Sequence, residues 1–314
     1  MTEKCAGEND KLISEHAYWL GLGLSAFLLI PATIAFGGNV PQSQSDFASE
    51  VNGTGIQLAE QPSLNRSSPL NGTQVLAEMG DLVRWTLFSE GTNGLRLSRF
   101  TVVDGDVCAA GNGIITLSGH ATIDGSLYYS PNSRLVMRDD ATITGARFQD
   151  RSPEMDNGVN EAASTSDNAS SLAPTRSYTN FNLGGHQNVT VQGAPGETVV
   201  LQLRNFVMQG SATFTLEGTA TTNFIINVTK QFSLSRYAMI VLSGGVQWDN
   251  VLFNVIGHGA DPVLSGSAHF EGILMANQRT VRLSGQSSVV GEVIADRIRM
   301  SKGSQITHPP VISP

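Results

Sequence analysis

Charged residues are scarce in this chain, and basic residues are fewer than acidic ones. Lysine and arginine number 19 against 27 aspartates and glutamates, and charged residues make up 15% of the 314 residues. The formal net charge is −8, so the chain lacks the basic surface that proteins use to neutralise nucleic-acid phosphates. Nucleic acid is therefore not an expected partner.

Cysteine is nearly absent, since only Cys5 and Cys108 occur. Cys5 precedes a long apolar run, so the two thiols are expected on opposite sides of a membrane. This excludes a disulfide framework and a cysteine-based zinc site, and Cys108 is expected to be buried as a small hydrophobic residue. The six histidines show no metal-ligand spacing, and no glycine-rich nucleotide-binding motif follows a predicted strand. Neither a metal site nor a cofactor is predicted.

One long apolar run, Ala17 to Phe36, carries no charge over twenty residues. A helix of that length spans the ~30 Å hydrocarbon core of a bilayer. Residues 1–36 are therefore predicted to be an uncleaved membrane anchor or a signal peptide, and small residues permit cleavage after Ala35. Both readings place the rest of the chain at the cell surface, in the periplasm or outside the cell, with an inner-membrane tether if the anchor is retained.

Composition divides the remaining chain. Helical spacing of Leu76, Met79 and Val83 predicts a short amphipathic helix that caps a sheet edge. Two stretches poor in large apolar residues predict disorder, and the C-terminal prolines predict an extended tail. The predicted segments are a flexible stalk (37–72), a capping helix with the first solenoid part (73–149), a disordered insertion (150–177), the second solenoid part (178–308) and the tail (309–314).

Glycine is abundant, with 33 residues, and an internal repeat stands out. Seven copies start with Leu or Met, at Leu117, Met137, Met208, Leu234, Leu264, Leu283 and Met300. Four residues later each has a small residue, Ala121, Ala141, Ala212, Ala238, Ala268, Ser287 or Ser304. Two residues further each has an apolar residue, Ile123, Ile143, Phe214, Ile240, Phe270, Val289 or Ile306. Glycine follows two residues later in four copies, at Gly125, Gly145, Gly272 and Gly291.

The Leu or Met, small and apolar positions of the repeat are separated by even numbers of residues, so their side chains face the same side of an extended chain. A period near twenty residues with a small residue and a glycine at fixed places is typical of one coil of a β-helix. The sequence therefore predicts an all-β fold, a right-handed parallel β-solenoid with a short accompanying or capping helix. A β-sandwich, the alternative, predicts frequent hairpin turns but no shared positions among them.

The segment from Asn223 to Ile298 carries a Val-Leu-Phe-Asn-Val strand at Val251–Val255, followed by Gly-x-Leu-x-Ala and Gly-x-Val-x-Ala at Gly272–Ala276 and Gly291–Ala295. In these motifs it resembles bacterial surface proteins of the ice-binding-protein-like adhesin family and the choice-of-anchor A domain family. The resemblance covers about residues 95–308. It implies an exported β-solenoid with a helix alongside, used in adhesion or ice binding.

The main prediction for function is a non-catalytic surface adhesin or extracellular-matrix scaffold. The expected partners are a glycan, a matrix protein or an ice surface, and the membrane through the N-terminal segment. Ice binding is the first alternative, because Thr122, Thr142 and Thr213 share one outward repeat position, although His269 interrupts that row. These four side chains are the predicted ligand-facing residues.

A polysaccharide-acting enzyme on the same fold is the second alternative. Such an enzyme needs converging carboxylates. The candidates are Asp104, Asp106, Asp124, Asp139 and Asp140, but Asp-Gly pairs are typical of turns. Because Asp124 and Thr144 occupy the same repeat position, no column of carboxylates is expected, and the chain is predicted not to be an enzyme.

Overall fold

The computed structural model of the chain describes residues 56–57, 72–77 and 79–309. The predicted membrane segment, most of the predicted stalk and most of the tail lie outside these ranges. Within them, no helix combines the length and the hydrophobicity that a membrane crossing needs.

The described residues are mostly β-strand, and every strand pairing among them is parallel. The predicted β-solenoid architecture is thereby confirmed. In the N-terminal part the strands are Ile56–Gln57, Leu87–Ser89, Leu95–Ser98, Val102–Asp104, Val107–Ala109, Gly113–Ser118, Thr122–Asp124, Leu127–Tyr129, Ser133–Met137, Thr142–Ile143 and Arg147–Gln149. In the C-terminal part they are Arg176–Leu183, Asn188–Gln192, Thr198–Met208, Thr213–Glu217, Asn223–Ser235, Met239–Ser243, Val251–Val255, Val263–Ser265, His269–Leu283, Ser288–Met300 and Gln305–Thr307.

The strands form three faces, each a stack of parallel segments. Face A holds 87–89, 107–109, 127–129, 147–149, 176–178, 199–203, 224–228, 251–255, 272–276 and 291–295. Face B holds 95–98, 115–118, 135–137, 181–183, 206–208, 232–235, 263–265, 280–283 and 298–300. Face C holds 56–57, 102–104, 122–124, 142–143, 188–192, 213–217, 239–243, 269–271, 288–290 and 305–307.

The order of the rungs along the solenoid differs from their order along the chain. The strand Leu87–Ser89 pairs on one side with Val107–Ala109 and on the other with residues 293–295 near the C-terminus. The N-terminal rungs therefore stack on the C-terminal ones, and residues 147–149 and 176–183 lie at opposite ends of the stack. The chain passes between those ends through the helix α2, Pro153–Ser171.

The stacking that the repeat predicts is confirmed. The seven Leu and Met residues that start the repeat lie in one column, which Leu97 joins as an eighth member. The rung order is Met208, Leu234, Leu264, Leu283, Met300, Leu97, Leu117 and Met137. The small residues are fully buried in six of the seven copies, and Ala141 in the last rung is partly buried. Inside the coil, Phe206 stacks on Phe232, and Phe253 contacts Phe206 and Phe270 edge to face.

The corner between faces B and C explains the Gly in the Leu-Ser-Gly segments. It is made by two consecutive residues with positive φ, for example Gly119 at 60° and His120 at 59°. Gly adopts that conformation without cost. At the corner between faces C and A, a Cβ added to Gly125 would collide with the backbone of Gly105 in the next rung, so close approach also selects glycine there.

The predicted disordered insertion, residues 150–177, is instead largely helical. The Ser152 hydroxyl caps α2 by accepting a hydrogen bond from the Met155 amide at 3.4 Å, and Pro153 follows in the first turn, where proline is tolerated. The buried face of α2 consists of Met155, Gly158, Ala162, Thr165 and Ala169, which recur at helical spacing. Small residues let this helix lie close to face A. Because small residues are only weakly hydrophobic, the sequence of this segment predicts disorder instead of a packed helix.

Three asparagines on successive rungs attach α2 to the solenoid. The side-chain amide of Asn227 donates to the Ala169 carbonyl at 2.8 Å, that of Asn254 to the Ser166 carbonyl at 2.9 Å, and that of Asn277 to the Ala162 carbonyl at 2.7 Å. One turn of a helix rises ~5.4 Å and strands are ~4.8 Å apart. The helix pitch and the spacing of the rungs are similar enough for each of the three rungs to form a hydrogen bond with one turn of α2.

The predicted capping helix also differs from the structure. Its residues form the short helix α1, Gly72–Ala77, and a 3₁₀ helix, Gly80–Arg84, and the other 3₁₀ helix is Trp248–Asn250. Val75 and Leu82 pack with α2 and the outer side of face A. These helices therefore cover a face rather than the end of the coil.

Candidate functional site

Face A is closed to external partners because helices cover it. Its outward side chains Ile225, Leu252 and Ile273 are fully buried, and they form one cluster with Met155 and Ala162 of α2. Among the described residues, only faces B and C present broad sheet surfaces without a covering helix.

Face C presents two parallel columns of outward side chains. In rung order the first contains Asn188, Thr213, Met239, His269, Ser288, Gln305, Val102, Thr122 and Thr142. The second contains Thr190, Thr215, Val241, Glu271, Val290, Thr307, Asp104, Asp124 and Thr144. Rungs are ~4.8 Å apart and alternate residues of a strand about 6.6 Å apart, so the backbone arranges these groups as a two-dimensional array.

The structure separates the predicted ligand-facing residues into two groups. Thr122 and Thr142 are adjacent, and their hydroxyl oxygens lie 3.2 Å apart in a hydrogen bond. Thr213 lies in the same column, but Met239 and four further residues separate it from Thr122. The residues share a repeat position, as predicted, yet they do not form a continuous row, because the chain stacks its N-terminal rungs on its C-terminal ones.

Three ionisable groups of face C, those of His269, Glu271 and Asp124, form hydrogen bonds with neighbouring side chains. His269 contacts Glu271 (Nε2 to Oε1, 3.0 Å) and Ser288 (Nδ1 to Oγ, 2.8 Å). Burial raises the pKa of Glu271, but hydrogen bonds from His269 and the Leu242 amide outweigh burial and leave that pKa below its ordinary value. Asp124 accepts a hydrogen bond from the Thr144 hydroxyl at 2.8 Å.

The candidate carboxylates for catalysis mostly have structural partners. Asp106 accepts the Ser126 amide at 2.8 Å, while Asp139 and Asp140 are exposed corner residues with φ of 54° and 56°. Asp104 lies directly beside Asp124 on the next rung, so a pair of carboxylates forms where the sequence predicts none. No group of three or more potential metal ligands occurs in the described part of the chain.

Face B differs from face C in its charge. Its outward columns include Arg282, Arg299 and Arg96 on three consecutive rungs. Beside them runs a column of serines, in rung order Ser235, Ser265, Ser284, Ser301, Ser98 and Ser118. Arg96 is remote in sequence from Arg282 and Arg299, so this row forms only in the folded structure.

Comparison with known proteins gives one family. The Ice-binding-like family matches residues 92–304. The chain is similar to the crystal structure of an ice binding protein from an Antarctic biological consortium, with 11% identity, a TM-score of 0.49 and coverage of 80% of this chain and 96% of that one. It is also similar to a glycosylated ice-binding protein from an Arctic yeast (17%, 0.47, 75% and 95%), and to a domain of a Shewanella frigidimarina ice-binding protein (16%, 0.46, 74% and 97%). No curated protein matches the chain.

The family match corrects the predicted function. An adhesin or matrix scaffold was the main prediction, and it is wrong, because the matching family is the ice-binding one and the first alternative fits it better. The ice-binding part of the predicted resemblance is confirmed, whereas the choice-of-anchor A part stays a prediction. Since the match spans more than half of the chain, this protein belongs to the Ice-binding-like family.

Proposed function

We propose that the protein binds ice through face C. The observation that carries this proposal is the regular array of outward side chains, most of them uncharged, on an uncovered parallel sheet. Its hydroxyl groups belong to Thr190, Thr213, Thr215, Ser288, Thr307, Thr122, Thr142 and Thr144. A hydroxyl both donates and accepts hydrogen bonds, so each can take the place of a water molecule at an ice surface.

Rigidity supports the same assignment. The outward residues are fixed by ladders of backbone hydrogen bonds, such as those from the Thr122 amide to the Thr101 carbonyl (2.8 Å) and from the Ser288 amide to the Ala268 carbonyl (2.9 Å). A surface that is ordered before binding loses little entropy when it binds. Thr122, Thr142, Thr213 and His269 are all members of this face, and we assign them to the contact surface.

Face C is preferred over face B because of the charges. The arginine row on face B consists of cations, and covering an unpaired charge costs free energy because the charge loses contact with liquid water. On face C, His269 with Glu271 and Asp124 with Thr144 are already hydrogen-bonded across the sheet. We infer further that the protein is not an enzyme and acts outside the cell, while the membrane tether remains a prediction.

The proposal is tested by matched serine-to-tyrosine substitutions on the two open faces. Ser288 lies on face C and Ser265 on face B, and both side chains are partly buried at outward positions. We expect Ser288→Tyr to lower thermal hysteresis, the gap between melting and freezing points, by more than half, because a protruding ring lifts the flat face off ice. Ser265→Tyr is expected to leave the gap unchanged.

Two results would contradict the proposal. Loss of thermal hysteresis in Ser265→Tyr with retention in Ser288→Tyr would place the contact on face B. Absence of both thermal hysteresis and inhibition of ice recrystallisation in the wild-type chain would refute ice binding itself. Circular dichroism of each variant verifies that the solenoid is intact.

A further inference from the structure

Face B contains a recess lined with arginines. Arg282, Arg299 and Arg96 are in register on three consecutive rungs, and Arg99 follows at the corner with face C. The recess has a volume of about 350 Å³ and its wall includes Ser284, Ser301 and Ser98. Serine hydroxyls and arginine guanidinium groups thus face the same space.

The arginine row is incompletely neutralised. Arg282 forms an ion pair with Asp261, with 2.8 Å between Nη2 and Oδ2. Neither Arg96 nor Arg299 has a carboxylate within ion-pairing distance among the residues that the structure describes. Asp296, a nearby acidic residue on the same strand as Arg299, pairs with Arg297 at 3.3 Å.

Such a row is unfavourable without a ligand. Like charges directly opposite each other on neighbouring strands destabilise a sheet, and these guanidinium groups arise from backbones ~4.8 Å apart. The whole chain has a net charge of −8, so a cluster of unpaired cations is not a general property of its surface. An anion in the recess would relieve the repulsion and accept bidentate hydrogen bonds from the guanidinium groups.

An exposed aromatic pair lies beside the row. Phe100, next to Arg99, has 66% of its surface exposed and stacks on His120 with 5.0 Å between the ring centroids. A flat apolar ring next to cations and hydroxyls suits a ligand that combines apolar ring faces with anionic and hydroxyl groups. Sugar rings that carry carboxylates have this combination.

We propose that the recess on face B binds an acidic polysaccharide, whose carboxylates pair with Arg96 and Arg299. A linear polysaccharide carries its carboxylates at regular intervals, and successive rungs present their arginines at a regular spacing, so several carboxylates can pair with several rungs. The positive surface is only three rungs long and lies in a recess, so it offers little contact to the broad surface of a membrane. The site is on a different face from the proposed ice contact.

The test measures binding of the full chain to polygalacturonate by isothermal titration calorimetry at low ionic strength. Neutral dextran, inorganic sulfate and vesicles containing anionic lipid serve as comparison ligands. The test variant is Arg96→Gln with Arg299→Gln. The control is Arg204→Gln with Arg147→Gln, which removes the same charge from exposed arginines outside the recess.

We expect polygalacturonate to bind and dextran not to bind. The recess variant should weaken binding at least tenfold, the control variant less than twofold, and added salt should weaken wild-type binding because it screens exposed charges. Equal weakening in both variants, or no weakening in either, would overturn the proposal. So would binding of sulfate or anionic vesicles but not of polygalacturonate. Thermal hysteresis should survive in the recess variant, so this proposal and ice binding can fail separately.

Discussion

Glu292 is a buried carboxyl group that should make the stability of the protein depend on pH. Its side chain has no exposed surface, and neither carboxyl oxygen has a hydrogen-bond partner. It lies next to Ile273 on the covered outer side of face A. Burial raises the pKa of Glu292 well above its ordinary value, because an apolar environment disfavours the charged form.

The sign and size of the effect follow from proton binding. Over the pH range between the unfolded and folded pKa values, folded Glu292 keeps its proton and unfolded Glu292 releases it. Its contribution is therefore most favourable below the unfolded pKa of ~4.3 and is lost as pH rises, by about 1.4 kcal/mol per pH unit.

Replacement by an amide isolates this contribution. Glu292→Gln keeps the shape of the side chain but cannot ionise. The free energy of unfolding of the variant, relative to that of the wild type, should therefore rise with pH above the unfolded pKa, by at most about 1.4 kcal/mol per pH unit. Urea denaturation at several pH values measures the difference. Glu271→Gln is the matched control with the opposite sign: the folded pKa of Glu271 is lowered, so its replacement should cost more stability as pH rises from the folded to the unfolded pKa, and a constant amount above the unfolded pKa. Parallel pH profiles for Glu292→Gln and the wild type would refute the reasoning.

Two further predictions concern other buried groups. Asn254→Ala removes the amide that bonds α2 and Asn227. It should lower the free energy of unfolding by about 1–3 kcal/mol and speed amide exchange in α2, whereas Asn182→Ala at an exposed asparagine should do neither. Burial raises the pKa of Cys108, which has no exposed surface, so its thiol should resist a thiol reagent at pH 8 in the native chain and react once urea unfolds it. Rapid labelling of the native chain at Cys108 would contradict the described burial.

The sequence predicts the coil but not the order of its rungs. Recurring Leu, Ala and Gly positions are local properties, and the columns from Leu117 to Met300 follow from them directly. The pairing of Leu87 with Val293 joins residues that are remote in sequence, and nothing in either segment specifies it. That pairing decides which threonines of face C are neighbours and brings Arg96 beside Arg299.

The helix α2 illustrates a second limit. Its signals are present in the sequence, since Ser152 and Pro153 mark a helix start and small residues recur at helical spacing. They were outweighed by the absence of large apolar residues, which usually identify a buried helix face. The asparagines that hold α2 lie on solenoid strands more than fifty residues away from their partners, so this stabilisation appears only in three dimensions.

Ice affinity of the intact chain tests the central claim most directly. A fluorescently labelled full chain is mixed with liquid around a slowly growing ice crystal, and its concentrations in ice and liquid are compared. We predict enrichment in the ice for the wild type and for Ser265→Tyr, and exclusion for Ser288→Tyr. Exclusion of the wild-type chain into the liquid would contradict ice binding.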